Sequence, residues 1–306
     1  MQKRGVGAYP IPLHCIKGVS DLKKILLQLD CDPLASVFDA VTAYDAGADI
    51  VLQYGNVTTE NVVDLVYGVM FTRGGDKLKY SAIFIGGSNV SRASEILDVV
   101  KKTFFGNVRN SVMFDPSGCN TTAAAAVAKM TKACDVKGQK VVVLAGTGPV
   151  GQRAAAMFTM EGAKVIVTSR KLEKAQAAAE EIKATFGLEV QPFAAFDDES
   201  TTEALNGAVA ALCTGAPGVT LIREPIWKAN PSLKVLGDVN AVPPMGVEGM
   251  KSSYNGEVIE GKVMFGSMGI GGLKMRTHKT CIERLFERND ALFDAQSILD
   301  IAKELS

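Results

Sequence analysis

Six residues, Gly146-Thr147-Gly148-Pro149-Val150-Gly151, follow the apolar run Val141-Val142-Val143-Leu144 and lead into a helical stretch, Arg153 to Glu161. Glycine at 146 permits a tight turn, glycine at 148 lets the main chain approach a ligand closely, and glycine at 151 lets a helix pack against its strand. A helix that starts there points free N–H groups and the positive end of its dipole at the turn, an arrangement suited to a pyrophosphate. The spacing and context predict a dinucleotide loop; the bland alternative is a structural strand-turn-helix. The end of the next strand selects the dinucleotide. An NAD site usually carries Asp or Glu there, about 20 residues into the motif, to hold the ribose 2′-hydroxyl. This chain has Thr168-Ser169-Arg170-Lys171, with Glu173 the first acid. Arg170 and Lys171 suit a 2′-phosphate, and Ser169 can add a hydroxyl hydrogen bond. NADP is therefore the expected cofactor, with NAD accepted more weakly. On this reading both cations fall in the first turn of the next helix, where the macrodipole opposes them. A locally unfavourable pair at that position favours a binding role over ordinary surface charge.

In open parallel sheets, ligands lie beyond the carboxyl ends of the strands. The polar or glycine-rich candidates there are Asp30, Gln53 to Asn56, Gly86 to Asn89 and Asp115 to Gly118 in the first half, with Thr214-Gly215-Ala216 and Asp238-Val239-Asn240 in the second. Thr214 and Gly215 fall on the cofactor side. Convergence of these ends predicts a cleft between two sheets, a usual place for a small molecule. Gly269-Ile270-Gly271-Gly272-Leu273-Lys274 reads as a glycine-rich loop that could present the Lys274 ammonium to a substrate; a solvated lysine is the alternative. His278 reads as a packed or capping histidine, and Trp227 as a packing residue. With two histidines in the chain and no ligand-spaced neighbours, no metal site is expected.

The elements that must position these residues alternate. Strand-like runs at 25–30, 50–54, 81–85 and 111–114 are each followed by a helical stretch, Pro33 to Ala46, Thr58 to Phe71 (with Thr58 or Thr59 as cap), Ser91 to Phe105 and Thr121 to Cys134. After the polar segment Asp135 to Gln139 come strands at 140–145, 164–168, 188–191, 208–213, 234–238 and 263–266, a clear helix from Lys171 to Phe186, and a last helix from about Thr280, broken near Asn289-Asp290. Apolar strands alternating with helices predict an α/β fold with mainly parallel sheets covered on both faces. At 306 residues the chain can form two domains, each with its own core. Thirty-three basic residues balance 33 acidic ones, so no bulk field favours nucleic acid or an acidic membrane. No apolar run approaches the roughly 18–20 residues that span a bilayer. The segment Met1 to Ser20 lacks the apolar stretch of a secretory signal. Six cysteines without a CxxC pair read as free thiols in a reducing cytoplasm.

Several segments resemble the bacterial NADP-dependent methylene-tetrahydromethanopterin dehydrogenases, some of which also accept methylene-tetrahydrofolate. They are Ser36-Val37-Phe38-Asp39, Tyr54 to Thr58, Thr72-Arg73-Gly74-Gly75, Asn120 to Ala125, Val143 to Gly151, Arg170-Lys171-Leu172 and Gly269 to Lys274. The resemblance covers about Leu26 to Leu305, and Met1 to Asp21 is an extension beyond it. It implies a pterin domain at 1–135 completed by helices at about 282–306, an NADP-binding Rossmann domain at 136–281, and a homo-oligomer. It also implies hydride transfer from methylene-tetrahydromethanopterin to NADP in one-carbon metabolism. Asp39, Asn120 and Lys274 become candidates for holding the tetrahydropterin, with Lys274 the residue nearest to catalysis. Gly118-Cys119-Asn120-Thr121-Thr122 is also similar to the G-x-N-T-D segment of shikimate dehydrogenases, with Thr122 in place of the acid. A methylene carbon between two nitrogens loses hydride without an O–H proton to remove, and the missing acid agrees with that chemistry. A methylene-tetrahydrofolate dehydrogenase, a shikimate-type alcohol dehydrogenase and a non-catalytic NADP sensor stay open as alternatives.

Overall fold

The computed structural model describes residues 22–306, so the N-terminal extension lies outside the described residues. The first half runs β1 (Ile25–Asp30), α1 (Val37–Asp45), β2 (Ile50–Tyr54), α2 (Val62–Met70), β3 (Ser81–Gly86), α3 (Val90–Thr103), β4 (Ser111–Phe114) and α4 (Cys119–Ala133). The second continues with β5 (Lys140–Leu144), α5 (Pro149–Met160), β6 (Lys164–Ser169), α6 (Leu172–Phe186), β7 (Gln191–Ala194), α7 (Asp198–Leu205) and β8 (Ala208–Cys213). It ends with α8 (Glu224–Ala229), β9 (Val235–Asp238), β10 (Asn255–Ile259) and β11 (Lys262–Phe265). Helix α9 (Ser267–Arg284), β12 (Leu292–Phe293) and α10 (Ala295–Leu305) then return to the first half, where β12 pairs with β4.

The protein is α/β. One sheet has the order β12-β4-β3-β1-β2, all parallel, and the other β10-β11-β9-β8-β5-β6-β7, parallel except for β10. The inner strands are mainly apolar because helices cover both faces: every residue of β3, β4 and β8 is buried. Helix α4 joins the halves. Its run Ala123 to Ala128 is at most 1% exposed, and side chains this small let α5, α9 and α10 approach closely, so one apolar cluster continues from Leu26 and Phe84 through α4 to Val141 and Phe158.

Local readings shift in places. The third strand of the second half lies at Gln191–Ala194 rather than 188–191, because Gly187 ends α6 in a left-handed conformation (φ 68°) and the chain needs three residues to cross to the sheet. Its Pro192 is tolerated because β7 is an edge strand. The cap of α2 is Asn61, whose Oδ1 accepts from the Thr58 N–H in a turn, rather than either threonine. The expected loop Gly269 to His278 is helical and belongs to α9. A Cβ on Gly266 would run into the carbonyl oxygen of Lys251, and one on Gly269 into that of Tyr254. The glycines therefore let this helix lie directly on the 251–255 backbone; they do not loosen it. The expected break near Asn289-Asp290 is present, and the short strand β12 follows it.

Candidate functional site

The carboxyl end of β5 turns through Ala145, in the left-handed region (φ 50°), into Gly146, whose N–H donates to the Thr168 carbonyl at 3.0 Å. Ala145 N–H donates to Thr168 Oγ1 at 3.1 Å, so the loop is fastened to β6 twice. Gly148 is the N-cap of α5, with Pro149 in its first turn, where a missing N–H carries no penalty. A Cβ on Gly148 would meet nothing within 4 Å among the described residues, which leaves open space above the loop. A Cβ on Gly151 would stand 2.5 Å from Gly146 Cα and 2.7 Å from Thr214 Oγ1, so only glycine permits this helix-to-strand contact. Thr214 Oγ1 in turn donates to the Leu144 carbonyl at 3.0 Å and ties β8 to the loop.

A groove of about 670 Å³ runs along these strand ends, lined by Thr147, Gly148, Ser169, Arg170, Lys171, Lys174, Thr214 and Gly215, among others. Gly146, Pro149, Val150 and Gly151 shape the turn and do not line the groove. Lys171 is the N-cap of α6 and Arg170 precedes it, so both stand just before the helix rather than in its first turn. Neither pairs with a carboxylate among the described residues. Lys174 joins them. Its signal was its place three residues after Lys171, which puts the two on neighbouring positions of one face.

A second hollow, of about 300 Å³, lies at the carboxyl ends of β1 and β3 and is lined by Asp30, Phe38, Asp39, Gly118, Thr122 and Lys274, among others. Asp30 braces its floor: one carboxylate oxygen accepts from Asp32 N–H at 2.8 Å and the other from Ser36 N–H at 3.1 Å. Ser36 caps α1 by accepting from Asp39 N–H, which fixes the turn that carries Phe38 and Asp39. Lys274 reaches in from α9, its Nζ 4.4 Å from the centroid of the Phe38 ring, close enough for a cation–π contact. It also lies 3.6 Å from where a Cβ on Gly118 would be, an ordinary contact distance, so the turn at 118, left-handed at φ 62°, borders the ammonium.

Beneath this hollow is Asp115, fully buried. One oxygen accepts from the N–H groups of Asn120 (2.9 Å) and Thr121 (3.1 Å), and the other accepts from Thr121 Oγ1 at 2.6 Å and stands 3.5 Å from His278 Nδ1. Burial alone would raise the Asp115 pKa, but His278, the Thr121 hydroxyl and the Lys274 charge together hold it below the ordinary carboxylate value. Asp39 goes the other way: burial raises it, with Asp115 adding repulsion, against the pull of His278, Ser36 and Lys274. Burial lowers Lys274, and the two aspartates oppose that. The result is one desolvated ammonium over the face of the Phe38 ring, with two carboxyl groups near it. His278 is packed, as expected, between the Phe38 and Phe84 rings. Asn120 lies under the hollow rather than on its wall, with Nδ2 donating to the Phe114 carbonyl at 2.6 Å. Asp115 was expected only as one polar strand end among several and His278 only as a packed or capping residue; their link to Lys274 was not expected. The signal for that link was the four-residue spacing of Lys274 and His278, which shares a face only if that segment is helical.

Fold and groove define a two-sheet α/β protein whose second sheet ends in a Rossmann-type loop. A family model described as methylene-tetrahydromethanopterin dehydrogenase, N-terminal, matches residues 37–117. Among curated relatives, the bifunctional protein MdtA of Methylorubrum extorquens is 46% identical over 286 residues, which is 93% of this chain and 99% of that protein. The NAD(P)-dependent methylenetetrahydromethanopterin dehydrogenase of the same organism is 31% identical over 281 residues, 89% of this chain and 95% of that protein. The chain belongs to the methylene-tetrahydromethanopterin dehydrogenase family. Among solved structures, shikimate 5-dehydrogenase of Listeria monocytogenes in complex with shikimate and NAD matches at a TM-score of 0.48 and 14% identity, over 92% of this chain and 96% of that one.

Proposed function

We propose that this chain catalyses reversible hydride transfer between methylene-tetrahydromethanopterin and NADP. The observation that carries the reading is the pairing of a groove whose ribose end holds Ser169, Arg170, Lys171 and Lys174 without an acid with a hollow built from Lys274, Asp39 and Thr122. NADP supplies the hydride acceptor when bound. Gly148 and the α5 N-terminus take its pyrophosphate, Arg170 and Lys171 its 2′-phosphate, and Thr214 and Gly215 wall the groove beyond the loop. In the hollow Lys274 holds a polar edge of the pterin, such as a carbonyl, while Asp39 and the buried Asp115 offset the positive charge of the methenyl product. Thr122 stands where an alcohol dehydrogenase of shikimate type would need its acid, which disfavours that alternative.

The deciding experiment measures turnover of methylene-tetrahydromethanopterin and methylene-tetrahydrofolate, each with NADP and NAD. Turnover of the first with NADP is expected. Faster turnover of the folate would move the chain to that substrate, and tight NADP binding without turnover of either would leave the sensor reading in its place. Arg170→Ala should raise the Michaelis constant for NADP roughly 10- to 150-fold, the loss of a charge-assisted bond worth about 1.5–3 kcal/mol, with NAD far less affected. Equal losses for both cofactors would remove Arg170 from the 2′-phosphate.

Cytoplasmic location is part of the same proposal. Cys31, Cys119, Cys134, Cys213 and Cys281 are all free and buried, as suits a reducing compartment. Among the described residues no helix is long and apolar enough to cross a membrane. Homo-oligomerisation is also proposed, through the face where Val37, Val41 and Tyr44 of α1 lie exposed beside Ile50, Leu52 and Tyr54 of the edge strand β2. Light scattering should show Val41→Glu at a lower mass than the wild type; an unchanged mass would place the interface elsewhere.

A further inference from the structure

Between the first turns of α3 and α5 lies a third cavity, of about 480 Å³, that adjoins both sites above. It shares Ser88 with the hollow around Lys274 and Thr147 with the dinucleotide groove, so it opens toward both. Its walls come from both halves of the chain: Ser88, Asn89 and Ser91 from the start of α3, and Thr147, Pro149 and Arg153 from the start of α5. Two helix N-termini facing one space direct two positive dipole ends and their free N–H groups into it. Asn89 spends its side-chain oxygen on the Arg92 N–H, so that donor of the α3 terminus is already satisfied.

Helix ends alone would not define a site, but Arg153 does more. It is 6% exposed, yet it pairs with no carboxylate among the described residues. A terminal nitrogen makes a long hydrogen bond, 3.5 Å, to the Pro149 carbonyl, and Nε has no partner among the described residues. A buried guanidinium carries five donors and a charge that cannot be shed, so leaving it unpaired is costly unless a ligand completes it. The acid nearest in the lining, Glu181, is exposed and already accepts from Gln152 Nε2 at 2.8 Å.

We propose that this cavity is an oxyanion site, with Arg153 as its charged wall and the α3 N-terminus as the opposite jaw, and that it binds a phosphate or carboxylate group reaching it from one of the two adjoining sites. The source is either the pyrophosphate of the dinucleotide, past Thr147, or an anionic arm of the substrate, past Ser88. Assigning the source rests on the proposed dehydrogenase reading; the oxyanion site does not. Because its jaws belong to different halves, an anion there ties the two sheets together and makes Arg153 a positioning residue for the ligand that supplies it.

The test uses the full chain and two probes that need no turnover, inorganic phosphate and inorganic pyrophosphate, titrated calorimetrically into wild type, Arg153→Met, Arg153→Lys and Glu181→Gln. Met keeps the buried stem and removes the charge. Wild type should bind pyrophosphate, Arg153→Met should weaken it by at least about tenfold, and Arg153→Lys should recover part of the loss. Glu181→Gln should leave binding intact or tighten it. A merely structural arginine predicts a lower melting temperature for Arg153→Met; the anion site predicts an equal or higher one, since an unpaired buried charge is gone. Unchanged pyrophosphate and phosphate affinity in Arg153→Met, or a lowered melting temperature with affinity retained, overturns the proposal. Where turnover is present, a rise in the NADP Michaelis constant alone assigns the anion to the cofactor, and a rise for the pterin alone assigns it to the substrate. Failure of turnover with intact probe binding counts against the dehydrogenase reading and leaves the site standing.

Discussion

Lys274→Ala should lower kcat/KM by about 2–4 kcal/mol, roughly 30- to 1,000-fold, with the dissociation constant for NADP nearly unchanged. The reason lies in where the ammonium is held. It comes from a helix that belongs to neither strand end, it is desolvated against Phe38, and Asp115 and Asp39 oppose the lowering of its pKa by burial. A charge held in that way is worth more to a polar ligand edge than the same charge in water. Hydride transfer needs two carbons at near-attack distance, roughly 3–3.5 Å, with their rings aligned, so losing an anchor lowers the rate through misplacement. Nothing in the reaction asks Lys274 to give up a proton. Its protonation should still appear in the pH profile, as activity that is lost when pH rises through its lowered pKa, and that limb should vanish in the alanine variant. Kinetics like those of wild type would reduce Lys274 to charge balance, and a selective loss of NADP binding would move it to the cofactor groove.

The sequence made the dinucleotide loop legible because each of its demands is local. A strand, a turn with glycine where side chains cannot fit and a helix start all fall within eleven residues, Val141 to Gly151. Parallel sheets were legible too, from apolar strands alternating with helices. The path of 269–278 was not, because Gly269, like Gly266 before it, answers to a distant partner. Those two let the helix pack on the backbone at 251–255, which no local pattern records. With the helix unread, Lys274 and His278 could not be placed on one face, and Asp115 stood only as one polar strand end among several. The apolar spacing of Leu34, Val37, Phe38 and Val41 showed a different limit. It marks a helix correctly over Val37–Asp45, yet all four side chains are exposed. Periodicity shows that a face is apolar; what covers that face depends on neighbours, and among the described residues β2 beside it is an edge strand. The two-residue strand β12 carries too little sequence to be seen at all, and only its pairing with Val112 and Met113 gives it meaning.

Asp115→Ala should destabilise the protein by roughly 3–5 kcal/mol, the scale for removing one partner of a buried charged network. It would strip acceptors from the Asn120 and Thr121 N–H groups and the Thr121 hydroxyl, all closed off from water, and leave His278 beside a void. Asp115→Asn separates charge from shape. Its carbonyl oxygen can keep both N–H donors, and its amide can face the Thr121 hydroxyl, so the loss at neutral pH should be smaller and should depend on pH. The sign follows from the direction of the shift. The Asp115 carboxyl is held below its ordinary value of 3.8, so the native state binds its proton more weakly than the unfolded chain does. Its ionised form therefore contributes stability that is fully present above that ordinary value and is lost as pH falls below it, through the lowered value. Denaturant unfolding of wild type and Asp115→Asn should give a constant difference from pH 7 to about pH 5, shrinking as pH falls below about 4. The same variant has a kinetic signature, because Lys274 loses one of the two anions that oppose its desolvation. The alkaline limb of its pH profile should move to lower pH, since the charged form is less favoured. A stability difference that stays flat down to pH 3, together with an unmoved alkaline limb, would mean that Asp115 is ordinary packing and that its charge does not reach the ammonium above it.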